Sequence, residues 1–180
     1  MKSDLFHLLR RGQAVRMLEC DGQWTLWRVI VVVPAANLVC WIRLSPAETV
    51  AHEWIALHEV VKFFEGELLE TIETDPFCPL WLVSERAARY QAKRWRIVTA
   101  VLQHGEINYL KSPVTRVRII EEVATLLMVP RSAVRKAMTL FYVRGMGPTA
   151  LAPRTNVCGG PGKSRQLTRR KMPKPRGEWG

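Results

Sequence analysis

The chain has few features that would indicate a metal site, a disulfide framework or a membrane span. Its four cysteines are widely spaced without a C-x-x-C pair, and its four histidines complete no zinc pattern. No signal segment opens the sequence, and two arginines, a proline and an asparagine interrupt its most hydrophobic run, residues 26–44. We therefore expect buried thiols in a reducing cytoplasm, with no metal, no cofactor and no membrane span.

Acidic residues are also in short supply, with 16 against 27 basic residues and a net charge of +11. The segment 145–180 alone has eight basic residues and one acidic residue. The basic residues are Arg154, Lys163, Arg165, Arg169, Arg170, Lys171, Lys174 and Arg176. Such a segment favours a polyanionic partner, because every neutralised phosphate releases condensed counterions. RNA or a membrane surface would suit the same charge, so its sign alone does not select the partner.

One acidic cluster stands out against this background, within residues 65–75. Its members are Glu65, Glu67, Glu70, Glu73 and Asp75. No histidine and no fixed ligand spacing accompany these carboxylates, so the pattern favours a solvated acidic surface over a metal site.

The N-terminal third has the composition of β structure. Residues 14–20 and 23–33 predict two strands joined at Asp21-Gly22, a dipeptide that tolerates the backbone of a tight hairpin. Residues 38–44 predict a third strand. A helix is predicted from about Pro46 to Phe64, although its N-terminal half fits a strand as well. A short strand over 68–72 completes this module.

The second half of the chain has helical periodicity. Ser84 is a predicted N-cap for a basic helix that reaches about Gln103, and residues 106–113 predict a loop. The basic face of that helix either contacts phosphates or is merely solvated. Beyond residue 145 the periodicity disappears, which predicts an extended or disordered tail without a partner.

Residues 115–145 predict two short helices around a tight turn. In the first, one apolar face is formed by Val117, Ile120, Val123, Ala124 and Leu127. Pro130 interrupts the pattern, so a second helix begins at about Arg131. Its inward stripe would be Val134, Ala137, Met138 and Phe141. Met128 occupies a turn position where glycine is common.

The outward face of this second helix is polar and basic. It presents Arg131, Ser132, Arg135, Lys136 and Thr139. In a helix-turn-helix the second helix lies in the major groove, where such side chains donate to guanine edges or phosphates. An ordinary helical hairpin with a solvated basic face remains the alternative.

Together these patterns predict an α+β fold in four parts. They are a β-rich module over residues 1–75, a linker over 76–83, a helix-turn-helix domain over 84–145 and a basic glycine- and proline-rich tail over 146–180.

The order of motifs resembles the N-terminal region of TnsB-type transposases, which are Mu-like proteins of the DDE class. The basic helix and the helix-turn-helix are followed by Gly-Pro-Thr-Ala-Leu-Ala-Pro at 147–153 and by Gly-Gly-Pro-Gly-Lys-Ser-Arg at 159–165. A basic run with prolines comes last, at 171–176. In that run proline stands where relatives carry glycine, which leaves phosphate contact by Lys174 and Arg176 as its expected role.

The resemblance implies sequence-specific binding to double-stranded DNA at transposon ends, together with other transposition proteins. It assigns DNA contacts to the second helix and to Lys163, Arg165, Arg169, Arg170, Lys174 and Arg176. Full-length relatives add an RNase H-like domain that cleaves DNA with paired metal ions. We expect no such domain, and so no catalytic residue, in these 180 residues. A standalone helix-turn-helix transcriptional regulator is the main alternative, and a protein-interaction module is the third.

Overall fold

The protein has an α+β fold, as predicted. The computed structural model describes residues 9–45, 51–78 and 84–153. The strands are β1 (Ala14–Leu18), β2 (Trp24–Val33), β3 (Leu38–Arg43), β4 (His52–Ala56) and β5 (Leu69–Thr71). The helices are α1 (Leu57–Glu65), α2 (Glu85–Gln103), α3 (Glu106–Lys111), α4 (Pro113–Leu127) and α5 (Arg131–Val143). The strands form one antiparallel sheet of order β4-β3-β2-β1-β5.

The predicted hairpin joins β1 to β2, with Leu18 opposite Trp24. Gly22 takes the left-handed conformation that the Asp-Gly pair indicated, at φ +77°, and the Asp21 carboxylate accepts from the Gln23 N–H. Pro34 ends β2 by starting a short 3₁₀ helix, Pro34–Ala36. The first three strands therefore lie where local sequence placed them.

The segment after β3 was predicted as a helix whose N-terminal half fits a strand as well. The structure has a strand there, β4. Residues 46–50 lie outside the described part of the chain, and β4 then pairs with β3, with Leu38 opposite Ala56. The pairing gives the backbone groups of β3 hydrogen-bond partners that a helix starting at Pro46 would not supply. The helix begins only at Leu57, and Gly66 caps its C-terminus as predicted.

Helix α2 begins at its predicted cap, where the Ser84 Oγ accepts a hydrogen bond from the Ala87 N–H at 3.3 Å. The predicted loop over 106–113 is wrong, because residues 106–111 form helix α3. Two apolar side chains, Tyr109 and Leu110, are buried there, and this burial stabilises a helix that is too short to form alone.

Helices α4 and α5 flank a three-residue turn, and α5 begins at Arg131 as predicted. Most of the expected inward face of α4 is buried, but the placement of Val117 is wrong. Its side chain is 43% exposed, while Ile119 is buried. The apolar face of α4 is therefore rotated at its N-terminal end, where α3 and α5 leave a cleft beside Val117. All four predicted inward residues of α5 are buried.

Met128 ends α4 in the left-handed conformation, at φ 52°, and its side chain is 92% exposed. A side chain strains this conformation, whereas glycine adopts it without a Cβ penalty. We therefore expect Met128→Gly to raise the free energy of unfolding by about 1 kcal/mol, after allowance for the greater freedom of glycine in the unfolded chain. Urea unfolding measures this change. Met128→Ala keeps the Cβ and should give no such gain, so equal effects of the two variants would contradict the explanation.

The sheet has a hydrophobic layer on each face. Alternating residues of β2 point to opposite sides, so Trp27 and Val29 pack with α1 while Ile30 joins the core of the helices. That larger core contains side chains of α2, α3, α4 and α5 as well as of β2 and β3. Sheet and helices thus share buried surface. The division of the chain into an N-terminal module and a helical domain stays a prediction.

The first residues of the predicted tail are folded, which corrects the expectation that the chain is extended from residue 146 onwards. A 3₁₀ helix, Pro148–Leu151, packs against α2 and α5. Ala150, Leu151 and Ala152 are almost fully buried. This apolar stretch is followed by the basic part of the tail, residues 154–180, which lies outside the described residues.

Candidate nucleic-acid interface

The outward face of α5 contains the residues that the sequence predicts to contact DNA. Arg131, Ser132, Arg135 and Lys136 are exposed, and Thr139 is half-buried. The opposite stripe of the helix is fixed in the core, with Val134 fully buried and Phe141 1% exposed. Anchored in this way, α5 presents its basic side chains from a rigid support. Their role in binding stays a prediction.

Arg131 is less available than the other basic residues of α5. Its Nη1 lies 2.9 Å from the Glu121 Oε1 on α4, so the guanidinium is paired across the turn. Among the described residues, neither Arg135 nor Lys136 forms an ion pair. These two side chains are therefore the strongest candidates for contact with an anionic partner.

A second basic surface lies on α2. Its exposed members are Arg86, Arg89, Lys93 and Arg96. Arg94 has a different role, because its Nη1 donates to the Leu151 carbonyl at 2.9 Å and holds the last 3₁₀ helix. Pro153, from which the chain continues into the basic tail, lines a small cleft with Arg86 and Tyr90. The tail thus leaves the described fold beside the basic face of α2.

The six candidate DNA contacts of the tail cannot be placed in the same way. Lys163, Arg165, Arg169, Arg170, Lys174 and Arg176 lie outside the described residues.

A cleft of about 320 Å³ opens between β4, α3, α4 and α5. Arg116 and Arg135 line it from two different helices, and Thr139 and Met138 line it from α5. The Arg116 guanidinium is held by the Tyr109 and Leu110 carbonyls at 3.2 and 3.3 Å. No sequence pattern indicated this cleft, because its walls combine β4 with three consecutive helices from the other half of the chain.

Two residues that line the cleft have buried polar atoms without a hydrogen-bond partner among the described residues. The unpaired atoms are the Tyr142 hydroxyl and both ring nitrogens of His52. The two rings meet edge to face at 5.6 Å. Burial raises the pKa of Tyr142 far above its usual range, and burial together with Arg116 lowers the pKa of His52 to about 4. Both groups are therefore neutral near pH 7.

This shift in the pKa of His52 makes stability depend on pH. An unfolded histidine has a pKa near 6.5, so between about pH 6.5 and 4 the unfolded state binds more protons than the folded state. The contribution of neutral His52 to the free energy of unfolding is therefore fully present above pH 6.5 and is lost as the pH falls towards 4. We expect the free energy of unfolding to fall by about 2 kcal/mol from pH 7 to pH 5 through this group.

Urea unfolding of the wild type and of His52→Gln at the two pH values checks this expectation. His52→Gln should remove that part of the pH dependence. His58→Gln, which replaces an exposed histidine, should retain it. An unchanged pH dependence in His52→Gln would contradict the assignment.

The acidic cluster is largely the solvated surface that was predicted, with Glu65, Glu67 and Glu73 exposed. Asp75 is an exception, because it forms a salt bridge with the fully buried Arg28. Within the described residues, no group of three or more histidine, cysteine or acidic side chains is arranged to hold a metal ion. The expectation of buried thiols holds for Cys40 but is wrong for Cys20, which is exposed.

Arg28 is the most notable residue that the sequence analysis missed. Its guanidinium is 0% exposed and donates to the Gly12 and Val143 carbonyls at 2.9 Å each, in addition to pairing with Asp75. It thereby ties β2 to the C-terminal end of α5. The only local indication was a charge in the middle of an apolar strand, which is uncommon unless the charge is paired.

Comparisons with known proteins add no family assignment. No family model matches the chain, and no curated protein matches it at a significant level. None of the helices within the described residues combines the length and the hydrophobicity needed to cross a bilayer.

Proposed function

We propose that the protein binds double-stranded DNA, with α4 and α5 acting as a helix-turn-helix and α5 lying in the major groove. The observation that carries this proposal is the two-sided character of α5. One side is buried in the core, while Arg135 and Lys136 are exposed in the second turn of a helix that follows a three-residue turn. Arginine and lysine at this position of a helix-turn-helix reach base edges and phosphates.

The charge of the rest of the chain supports this geometry. The net charge is +11, and the segment 154–180 carries eight of the basic residues. The exposed arginines and lysine of α2 add a basic surface beside the start of that segment. In the proposal, α5 supplies sequence discrimination, whereas α2 and the tail supply phosphate contacts that position the protein without reading sequence.

The resemblance to TnsB-type transposases narrows the proposed DNA target to transposon ends. The motifs that carry it are the helix pair, the segment 147–153 and the glycine-rich segment 159–165. On this proposal the 180 residues recognise DNA on the bacterial nucleoid, in company with other transposition proteins, and do not cleave it. Metal-dependent cleavage of transposon ends by this chain would contradict that part of the proposal.

The test is a salt-titrated binding assay of the full chain on DNA that flanks its own gene, with scrambled DNA of equal length as the control. Because phosphate contacts weaken with salt for any sequence, only the difference between the two DNAs reports base reading. The proposal predicts preferential binding to repeated sites near the boundary of a mobile element. Equal affinity for both DNAs at every salt concentration would contradict it.

The standalone regulator would give a different pattern in the same assay. A two-fold symmetric dimer reads two-fold symmetric DNA, so a palindromic site upstream of a gene would favour that function. Loss of all DNA binding at moderate salt would favour an interaction module instead.

A further inference from the structure

The cleft between β4, α3, α4 and α5 has the chemistry of a binding site for a small ligand. Its volume of about 320 Å³ is at the lower end of the range of ligand pockets. Liquid water would fill it with roughly ten molecules, so a compound of about ten non-hydrogen atoms fits. One side of the cleft is apolar, with Val117, Ile120 and Met138.

Two cationic side chains also line the cleft from different helices. Arg116 on α4 is fixed in place by the Tyr109 and Leu110 carbonyls. Arg135 on α5 is exposed and, among the described residues, forms no ion pair. Guanidinium groups bind carboxylates and phosphates with charge-assisted hydrogen bonds. An anionic group in the cleft would offset the positive charge of both arginines.

The buried polar atoms of the cleft also favour a bound ligand. Tyr142 is 0% exposed and its hydroxyl has no partner among the described residues, and the same is true of both ring nitrogens of His52. The great majority of buried polar groups in proteins are paired, and each exception calls for an explanation. Both rings line the cleft, so a small rotation on ligand binding would bring these atoms to a polar atom of the ligand, and a neutral imidazole offers one donor and one acceptor.

We propose that this cleft binds a small aromatic or aliphatic anion, a phosphate or carboxylate on an apolar body. The anionic group lies against Arg116 and Arg135, and the apolar body packs against Val117, Ile120 and Met138. This proposal does not depend on DNA binding, because the site is formed by the folded chain alone.

Isothermal titration calorimetry of the full chain with phenyl phosphate and with benzoate, in the absence of DNA, tests the proposal. At least one of the two should bind more tightly than both inorganic phosphate, which lacks the apolar body, and benzyl alcohol, which lacks the charge. The basic tail attracts anions through their charge and not through an apolar body, so the comparison with inorganic phosphate, an anion of comparable charge, removes its contribution. Binding no tighter than that of inorganic phosphate would overturn the proposal.

Variants locate the binding site of the tighter probe. Tyr142→Phe removes one hydrogen bond and should weaken binding about fivefold, and Arg135→Met removes a charge and should weaken it at least tenfold. Arg118→Met removes an exposed arginine of α4 that does not line the cleft, and should leave affinity unchanged. Tyr142→Phe should fold at least as stably as the wild type, because the hydroxyl it removes is unpaired. Equal affinities for all three variants would overturn the proposal.

Discussion

Asp75→Asn is expected to destabilise the protein by about 3–5 kcal/mol, because it leaves the Arg28 guanidinium buried without its carboxylate. The substitution is nearly isosteric. The asparagine side-chain oxygen can still accept the hydrogen bond that the Asp75 Oδ1 accepts from the Phe77 N–H at 2.9 Å. The loss of stability therefore measures the cost of the uncompensated charge, because the turn at Phe77 keeps its hydrogen bond. Urea unfolding at pH 7 measures it.

An exposed pair of the same chemistry provides the control. Arg16 and Glu70 form a salt bridge between β1 and β5, with side chains 47% and 43% exposed. Glu70→Gln should cost less than about 1 kcal/mol, because solvent screens exposed pairs. Arg28→Met combined with Asp75→Asn should recover part of the stability lost in Asp75→Asn, because it removes the unpaired charge and leaves only the Gly12 and Val143 carbonyls without their donors. Similar costs for Asp75→Asn and Glu70→Gln would show that Arg28 does not have the structural role described above.

Removal of residues 154–180 is expected to weaken DNA binding by several orders of magnitude at low salt, for specific and scrambled DNA alike. The segment holds eight basic residues and one acidic residue, and each phosphate contact contributes about 0.9 to the slope of log affinity against log salt. If all eight basic residues contact phosphates, the slope should fall by about 7. Fluorescence anisotropy over a salt series measures both quantities.

The full-length chain with these eight basic residues replaced by glutamine is the matched control, since it keeps the length and removes the charge. It should lose as much affinity as the truncated protein. An unchanged salt slope in the truncated protein would show that the tail does not contact phosphates. Urea unfolding should be the same for both proteins and the wild type, because the low apolar content of residues 154–180 predicts that they add nothing to the core.

Local sequence predicted those parts of the fold that depend on neighbours along the chain. The Asp21-Gly22 hairpin, the Ser84 cap and the start of α5 at Arg131 all follow from turn, capping and proline rules. The buried and exposed faces of α5 followed from helical periodicity in the same way. These features needed no knowledge of tertiary contacts.

The errors arose where distant contacts decide the outcome. Helix α3 is stabilised by burial of Tyr109, and the segment after Met146 folds because α2 and α5 provide a surface for Leu151. Arg28 has partners 16, 47 and 115 residues away in the sequence. Periodicity carries no information about such contacts. From the sequence, Arg28 was only a charge that interrupts an apolar run.

The candidate interface shows the same division. Periodicity placed Arg135 and Lys136 on the exposed face of α5, but it could not show that Glu121 pairs with Arg131. Nor could it indicate the cleft that Arg135 shares with Arg116 and His52, since these three residues come from α5, α4 and β4.

The proposed role of α5 as the helix that reads DNA sequence is tested by comparing Arg135→Met and Lys136→Met with the wild type on the preferred DNA and on scrambled DNA. At least one of the two variants should lose about 1–3 kcal/mol of binding free energy on the preferred DNA and distinctly less on scrambled DNA. Lys62→Met, on α1 at the opposite face of the sheet, should bind both DNAs as the wild type does. Equal losses on the two DNAs in both variants would contradict the claim that α5 is the reading helix.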